Sequence, residues 1–247
     1  MRDSHGWLVP PNDFTEPPSR LRLHSALFPM NAPSTPPVEI VRHTFFVRVV
    51  HWLIAVAFVA AMITGLTLYW NSILWWLRPY LGGTESAIAI HFVGGICLTL
   101  LAIPIFFAWR KRMRWTVADS DFVAHLPEHG LRPDQEQPAN TGFFNGGQKL
   151  FFWAFIGSTA WLFVTGLVWW WRREPWMPHS VYVVSRTSHR VVSVVMSGAL
   201  LIHVYKATIG EPGTLGSMLK GTVTANWARR RRPAWFLEVG GSDRADR

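Results

Sequence analysis

A chain of 247 residues that is 49% hydrophobic, only 16% charged and carries 15 tryptophans has the composition of a membrane-embedded domain, which argues against a water-soluble globular enzyme. Its net charge of +9 does not indicate a nucleic-acid binder, because the basic residues are distributed by segment along an apolar chain. The single cysteine, Cys97, excludes an internal disulfide and a cysteine-ligated cluster, so any iron–sulfur chemistry must belong to a partner.

Residues 1–38 contain eight prolines and no apolar core of the signal-peptide type, and are expected to form an irregular cytoplasmic extension. Four apolar runs follow, at about 47–69, 87–109, 150–171 and 191–209, each long enough to cross a hydrocarbon core that takes roughly 20 helical residues. Between the second and third, residues 116–144 are polar, include Pro127, Pro133 and Pro138, and read as a loop with room for short helices. After the fourth, Gly210-Glu211-Pro212-Gly213 breaks the helix, and 214–221 suits a short interfacial helix. The expected fold is all-α: a four-helix transmembrane bundle over 39–222, followed by a basic cytoplasmic tail over 223–247.

Lysine and arginine set the orientation. Segments 1–48, 109–149 and 206–247 hold five, six and eight of them, whereas the short connections 70–88 and 171–188 hold one and three. The positive-inside rule therefore places both termini and the middle loop in the cytoplasm. Trp70, Trp75 and Trp76, with Trp169, Trp170, Trp171 and Trp176, mark the opposite, outer interface. The arginine run 229–232 is expected to anchor this topology against anionic lipid heads.

Strongly polar groups are costly within spans and face the bundle interior, so four histidines stand out: His51, His91, His189 and His203. His189 and His203 are 14 residues apart, just under four turns, so they share a face and differ in height by about 21 Å. His91 is level with His189 near the outer side, and His51 is level with His203 near the cytoplasmic side. Each level thus holds two imidazoles, a number that suits the axial ligation of one haem iron with no open position, as in electron transfer. Interhelical hydrogen bonds are the alternative use of such rings. One turn toward the bilayer centre from each histidine lies a small residue, Ala55, Gly95, Ser193 or Ala199, leaving room beside the ring. His43 is the rival ligand, one step further toward the cytoplasm than His51. Lys149, Arg48 and Arg190 lie near the expected haem levels, where they either pair with propionates or anchor the topology. No Asp or Glu lies inside any apolar run, which argues against a proton pump or ion transporter.

RHTFFVRVVHW at 42–52, HFVGG at 91–95, FNGGQKLFFW at 144–153, the two histidines of 188–207 and GTLGSMLKGTVTANWARRRRPAW at 213–235 form an ordered set. Together they resemble the cytochrome b (gamma) subunit of membrane-bound formate dehydrogenase, over roughly residues 40–236. The resemblance implies a multi-pass subunit of the bacterial cytoplasmic membrane that binds two haem b groups. It would reduce quinone with electrons relayed by an iron–sulfur (beta) subunit from a molybdenum or tungsten catalytic (alpha) subunit. It further implies that His91 and His189 bind the outer haem, that His51 and His203 bind the cytoplasmic-side haem, and that Asn145, Gly147 and Gln148 line the quinone site. The residues themselves leave FNGGQK equally suited to capping a helix, since asparagine and glycine are good cap residues. Two other readings stay open at this point: the cytochrome b subunit of another quinone-linked oxidoreductase, such as a hydrogenase or thiosulfate reductase, and a haem-free membrane anchor. No formate-oxidising residues are found on this chain.

Overall fold

The computed structural model describes residues 37–126 and 137–240; most of the proline-rich extension, Pro127, Pro133 and the last residues of the tail lie outside these. Strand β1 (Glu39–Val41) leads into helix α1 (Phe45–Tyr69), which opens on Thr44, whose side chain accepts from the Val47 N–H. A connection of single turns, including α2 (Asn71–Leu74), returns the chain into α3 (Gly83–Trp109). Helix α4 (Val117–Ala124) starts at a capping box of Thr116 and Asp119 and sits in the segment expected to be a loop. Helices α5 (Gly146–Trp170) and α6 (His179–Tyr205) complete the set, and α6 runs on through a π-helical turn at Lys206–Gly210. The chain ends in α7 (Thr214–Leu219), strand β2 (Thr222–Thr224), α8 (Ala225–Arg231) and α9 (Pro233–Glu238).

Four helices are long and apolar enough to cross a membrane: Phe45–Tyr69, Gly83–Trp109, Gly146–Trp170 and His179–Gly210. Their outward faces carry large exposed apolar side chains such as Val56, Leu100, Val164 and Val195, as a lipid-facing surface requires. The fourth begins at His179, well before the apolar run at 191. Hydropathy marks only the stretch that must be dry, whereas a helix propagates through serine and arginine as long as its backbone bonds continue.

The helices form two antiparallel hairpins, α1 with α3 and α5 with α6. The hairpins meet mainly along α3 and α5, while α1 and α6 approach only loosely. A cluster of Ala57, Leu98, Ala102, Phe155 and Met196 takes one or two residues from each long helix and fills the middle of the bundle. Met196 lies midway in sequence between His189 and His203, so this cluster separates the two histidine levels.

At the end holding β1, the fold departs from a purely helical expectation. Strands β1 and β2 pair antiparallel, Glu39 opposite Thr224 and Val41 opposite Thr222, and the Thr222 hydroxyl donates to Glu39 Oε2 at 2.7 Å. Ile40, Val223, Ala228, Trp235 and Phe236 then close a second small core, against which Phe143 also packs. The residues after 222 are thereby tied to the start of the bundle. Arg232 is correspondingly buried, not extended toward lipid: it pairs with Glu211 at 2.8 Å and donates to Gln148 Oε1 at 3.1 Å. Arg42, also buried, donates to the Phe143 carbonyl and lies over the rings of Phe143, Trp227 and Trp235. Burial above all lowers the pKa of both guanidinium groups, with Arg232 repelling Arg42 and Arg231 repelling Arg232, while the Glu211 carboxylate opposes the shift in each. A buried arginine that loses its partner costs several kcal/mol, so Glu211 is a structural residue here.

Candidate functional site

The four span histidines meet in the two expected pairs. His51 on α1 faces His203 on α6 with ring centroids 6.2 Å apart, and His91 on α3 faces His189 on α6, also at 6.2 Å. Two imidazoles on opposite sides of one metal, each bound at about 2.0 Å through nitrogen, would place their centroids about 6.3 Å apart. Among the described residues neither pair is joined by a hydrogen bond between its rings, so interhelical bonding between the partners does not account for their approach.

At the His91/His189 level both rings are held from behind. His91 Nδ1 lies 2.9 Å from the Ala61 carbonyl and 3.3 Å from Thr64 Oγ1, and a carbonyl can only accept, so Nδ1 carries the proton. His189 Nδ1 lies 2.8 Å from Thr165 Oγ1. That hydroxyl donates to the Trp161 carbonyl at 2.7 Å, so it accepts from the imidazole. In both rings Nε2 is left with its lone pair, the arrangement found where a metal-ligating histidine is oriented by its other nitrogen. Glycines complete the seats: a Cβ added at Gly65 would come within 2.9 Å of His91 Cε1, and one at Gly166 within 3.7 Å of His189 Cε1. Gly95, one turn from His91, has nothing within 4 Å of an added Cβ and leaves the space beside the ring open.

The His51/His203 level is built differently. His51 Nδ1 is buried without a hydrogen-bond partner, and its ring stands edge-on to Trp52. His203 stacks nearly parallel on Phe151, with centroids 4.5 Å apart and planes 12° from parallel. His43 is enclosed by Trp109, Phe143 and Phe144, and burial next to Arg42 pushes its pKa down to about 3. It is a neutral ring packed in an aromatic box at ordinary pH.

Asn145, Gly147 and Gln148 open α5. Asn145 Oδ1 accepts from the Gln148 N–H at 2.9 Å, and Gln148 Oε1 accepts from the Asn145 N–H at 3.2 Å and from Arg232. The capping role is thus present, and it engages the two side-chain oxygens while the two amide NH2 groups stay outside it. Gly146 fits against the Asp119 backbone, where a Cβ would come within 2.7 Å of the Asp119 carbonyl oxygen. Lys149 does not point to a haem level. It is buried, pairs with Asp119 at 2.7 Å and donates to the Arg114 carbonyl at 3.0 Å. A cleft of about 100 Å³ lies beside this pair, lined by Asn145, Thr116, Asn140 and Thr141 among others. Arg190 lies over the Tyr69 ring at 4.7 Å, and Arg48 donates to the Leu219 carbonyl.

Sequence reasoning missed Thr64, Gly65, Thr165, Gly166 and Asp119. One signal was available: the tripeptide Thr-Gly-Leu occurs at 64–66 and again at 165–167, near the C-terminal end of a long helix each time.

A family model described as prokaryotic cytochrome b561 matches residues 42–221. The formate dehydrogenase cytochrome b556(fdo) subunit of Escherichia coli (strain K12) is 30% identical, over 81% of this chain and 93% of that protein. The nitrate-inducible formate dehydrogenase cytochrome b556(Fdn) subunit of the same strain is 26% identical over 81% of this chain and 91% of its own length. The formate dehydrogenase cytochrome b556 subunit of Haemophilus influenzae is 26% identical over 81% of this chain and 83% of its own length.

Proposed function

The chain belongs to the prokaryotic cytochrome b561 family, and from that premise we propose that it is the di-haem cytochrome b subunit of a formate dehydrogenase complex. Family membership implies haem b, and with four spanning helices it makes the chain an integral membrane protein. In this reading it is a multi-pass protein of the bacterial cytoplasmic membrane with both termini inside. An iron–sulfur subunit, fed by a molybdenum or tungsten catalytic subunit, delivers electrons at its outer face, and quinone receives them near the cytoplasmic side. The excess of lysine and arginine in the termini and middle loop supports this orientation.

The observation that carries the proposal is the pair of matched imidazole couples, each at 6.2 Å, at two depths between α6 and its neighbours. His91 and His189 would hold one haem, His51 and His203 the other; each haem, when bound, would supply a one-electron carrier. The apolar cluster around Met196 and Phe155 keeps water from the space between the two levels. Asn145 and Gln148 offer amide N–H donors to a quinone carbonyl, while Gly147 gives room to the Phe122 ring, which an added Cβ would meet at 3.3 Å. Phe151, one turn along α5 from Gly147, rests on His203 and puts the start of that helix next to the inner level.

The intact complex, purified and reduced, should show two b-type haems per copy of this chain together with cluster-binding and catalytic subunits. His203→Ala should lose one haem and quinone reduction, while His43→Ala keeps both haems. Two haems in the His203→Ala protein would overturn the assignment. Asn145→Ala should slow quinol formation with haem content unchanged; unaltered quinone kinetics would remove Asn145 from the site.

A further inference from the structure

The two histidine levels differ in what stands behind their rings, and this difference has a redox consequence. At the outer level, His91 Nδ1–H is held by the Ala61 carbonyl with Thr64 Oγ1 alongside, and His189 Nδ1–H by Thr165 Oγ1. Each threonine spends its own proton on the preceding turn of its helix, Thr64 on the Ala60 carbonyl and Thr165 on the Trp161 carbonyl, both at 2.7 Å. Its lone pairs are what remain for the imidazole. At the inner level, His51 Nδ1 is buried without a partner, and His203 meets an aromatic face.

We infer that Thr64 and Thr165 are positioning residues that fix the tautomer of the outer imidazoles and make the outer haem the lower-potential member of the pair. An imidazole whose N–H is held by an oxygen acceptor is a more basic ligand. A more basic axial ligand stabilises ferric over ferrous iron, and hydrogen bonding and burial around the ligands are among the levers that set such potentials. The inner haem, with an unassisted His51 and the Phe151 ring stacked on His203, is the easier one to reduce. The ordering makes electron flow from the outer level to the inner level downhill. It rests on the di-haem reading above and gives the outer-to-inner direction of that reading a basis in the ring partners.

A spectroscopic redox titration of the purified wild-type complex should resolve two b-haem steps. In Thr165→Val the lower step should move upward while the higher step stays in place; Thr64→Val should do the same by a smaller shift, because His91 keeps its bond to Ala61. Thr165→Ser, which restores the hydroxyl, should return the step toward the wild-type value. If both haems are retained and neither step moves, or the higher step moves instead, the role of the threonines is overturned. Should Thr165→Val fail to assemble, His203→Ala provides a separate check, since it leaves only the outer haem. That haem should titrate at the lower wild-type step, and titration at the higher one would overturn the ordering. A wild-type complex without two haems would instead overturn the di-haem reading itself.

Discussion

Adding one methyl group at Gly65 should damage the His91/His189 level, while the same methyl at Gly166 should not. In Gly65→Ala the new Cβ would lie 2.9 Å from His91 Cε1 and 3.3 Å from its Nδ1. Ordinary carbon contacts sit at about 3.5–4.0 Å, so the ring must withdraw by roughly 0.6–1 Å. It cannot do so freely, because Nδ1 is tied to the Ala61 carbonyl at 2.9 Å. Stretching that bond forfeits about 1 kcal/mol, and an off-rotamer ring adds about 1 kcal/mol. Together, about 2 kcal/mol corresponds to a roughly 30-fold weaker hold on whatever His91 ligates. At Gly166 the added Cβ would stand 3.7 Å from His189 Cε1, an ordinary contact, so an effect within about 0.5 kcal/mol is expected. Haem occupancy per chain and its resistance to extraction, measured on the two purified variants side by side, test the argument. Wild-type haem retention in Gly65→Ala, or a greater loss in Gly166→Ala, would refute it.

Two further outcomes follow from the end of the bundle that holds β1 and β2. Asp119→Asn leaves the Lys149 ammonium buried opposite a neutral group, and the side chain of Lys149 is only 8% exposed. Breaking one partner of such a pair costs about 3–5 kcal/mol, visible as a lower thermal midpoint in detergent, and adding Lys149→Met should recover part of the loss; no recovery would count against the pair as the cause. His43 has a folded-state pKa of about 3, so the unfolded chain binds a proton at this position near pH 6.5 that the folded chain refuses. Its contribution to stability is therefore complete above about pH 6.5 and falls by about 1.4 kcal/mol per unit as pH drops toward 3. Thermal midpoints of wild type and His43→Phe, compared from pH 7 to 4, should diverge in that window, with the variant flatter; parallel curves would refute the assignment.

Much of this protein was legible before any coordinates. A span is a local property: about 20 apolar residues in a row must be helical, because lipid offers the backbone no other partner for its hydrogen bonds. Once four such spans alternate in direction, helix rise converts residue number into height, and His51, His91, His189 and His203 sort into two levels by arithmetic alone. Height, however, says nothing about which side chain stands behind a ring. Thr64 and His91 are 27 residues apart, and Thr165 and His189 are 24 apart, so these contacts exist only after the hairpins close.

The same holds for the charges. Lys149 and Arg232 read as interfacial cations, since a basic residue at a span end has a sufficient explanation in topology, and Arg42 entered only in the charge count of 1–48. Their burial depends on carboxylates and aromatic rings brought in from distant segments: Asp119 for Lys149, Glu211 for Arg232, and Phe143, Trp227 and Trp235 around Arg42. The pairing of Glu39–Val41 with Thr222–Thr224 joins residues more than 180 apart, where single-strand propensity carries almost no signal. By itself the sequence determined which segments span, how high each histidine sits and which imidazoles are level with each other, because those follow from local helix geometry in an apolar solvent. Only the tertiary structure decided which hydroxyl or carbonyl holds each ring and which charges are buried, because those depend on side chains meeting across helices.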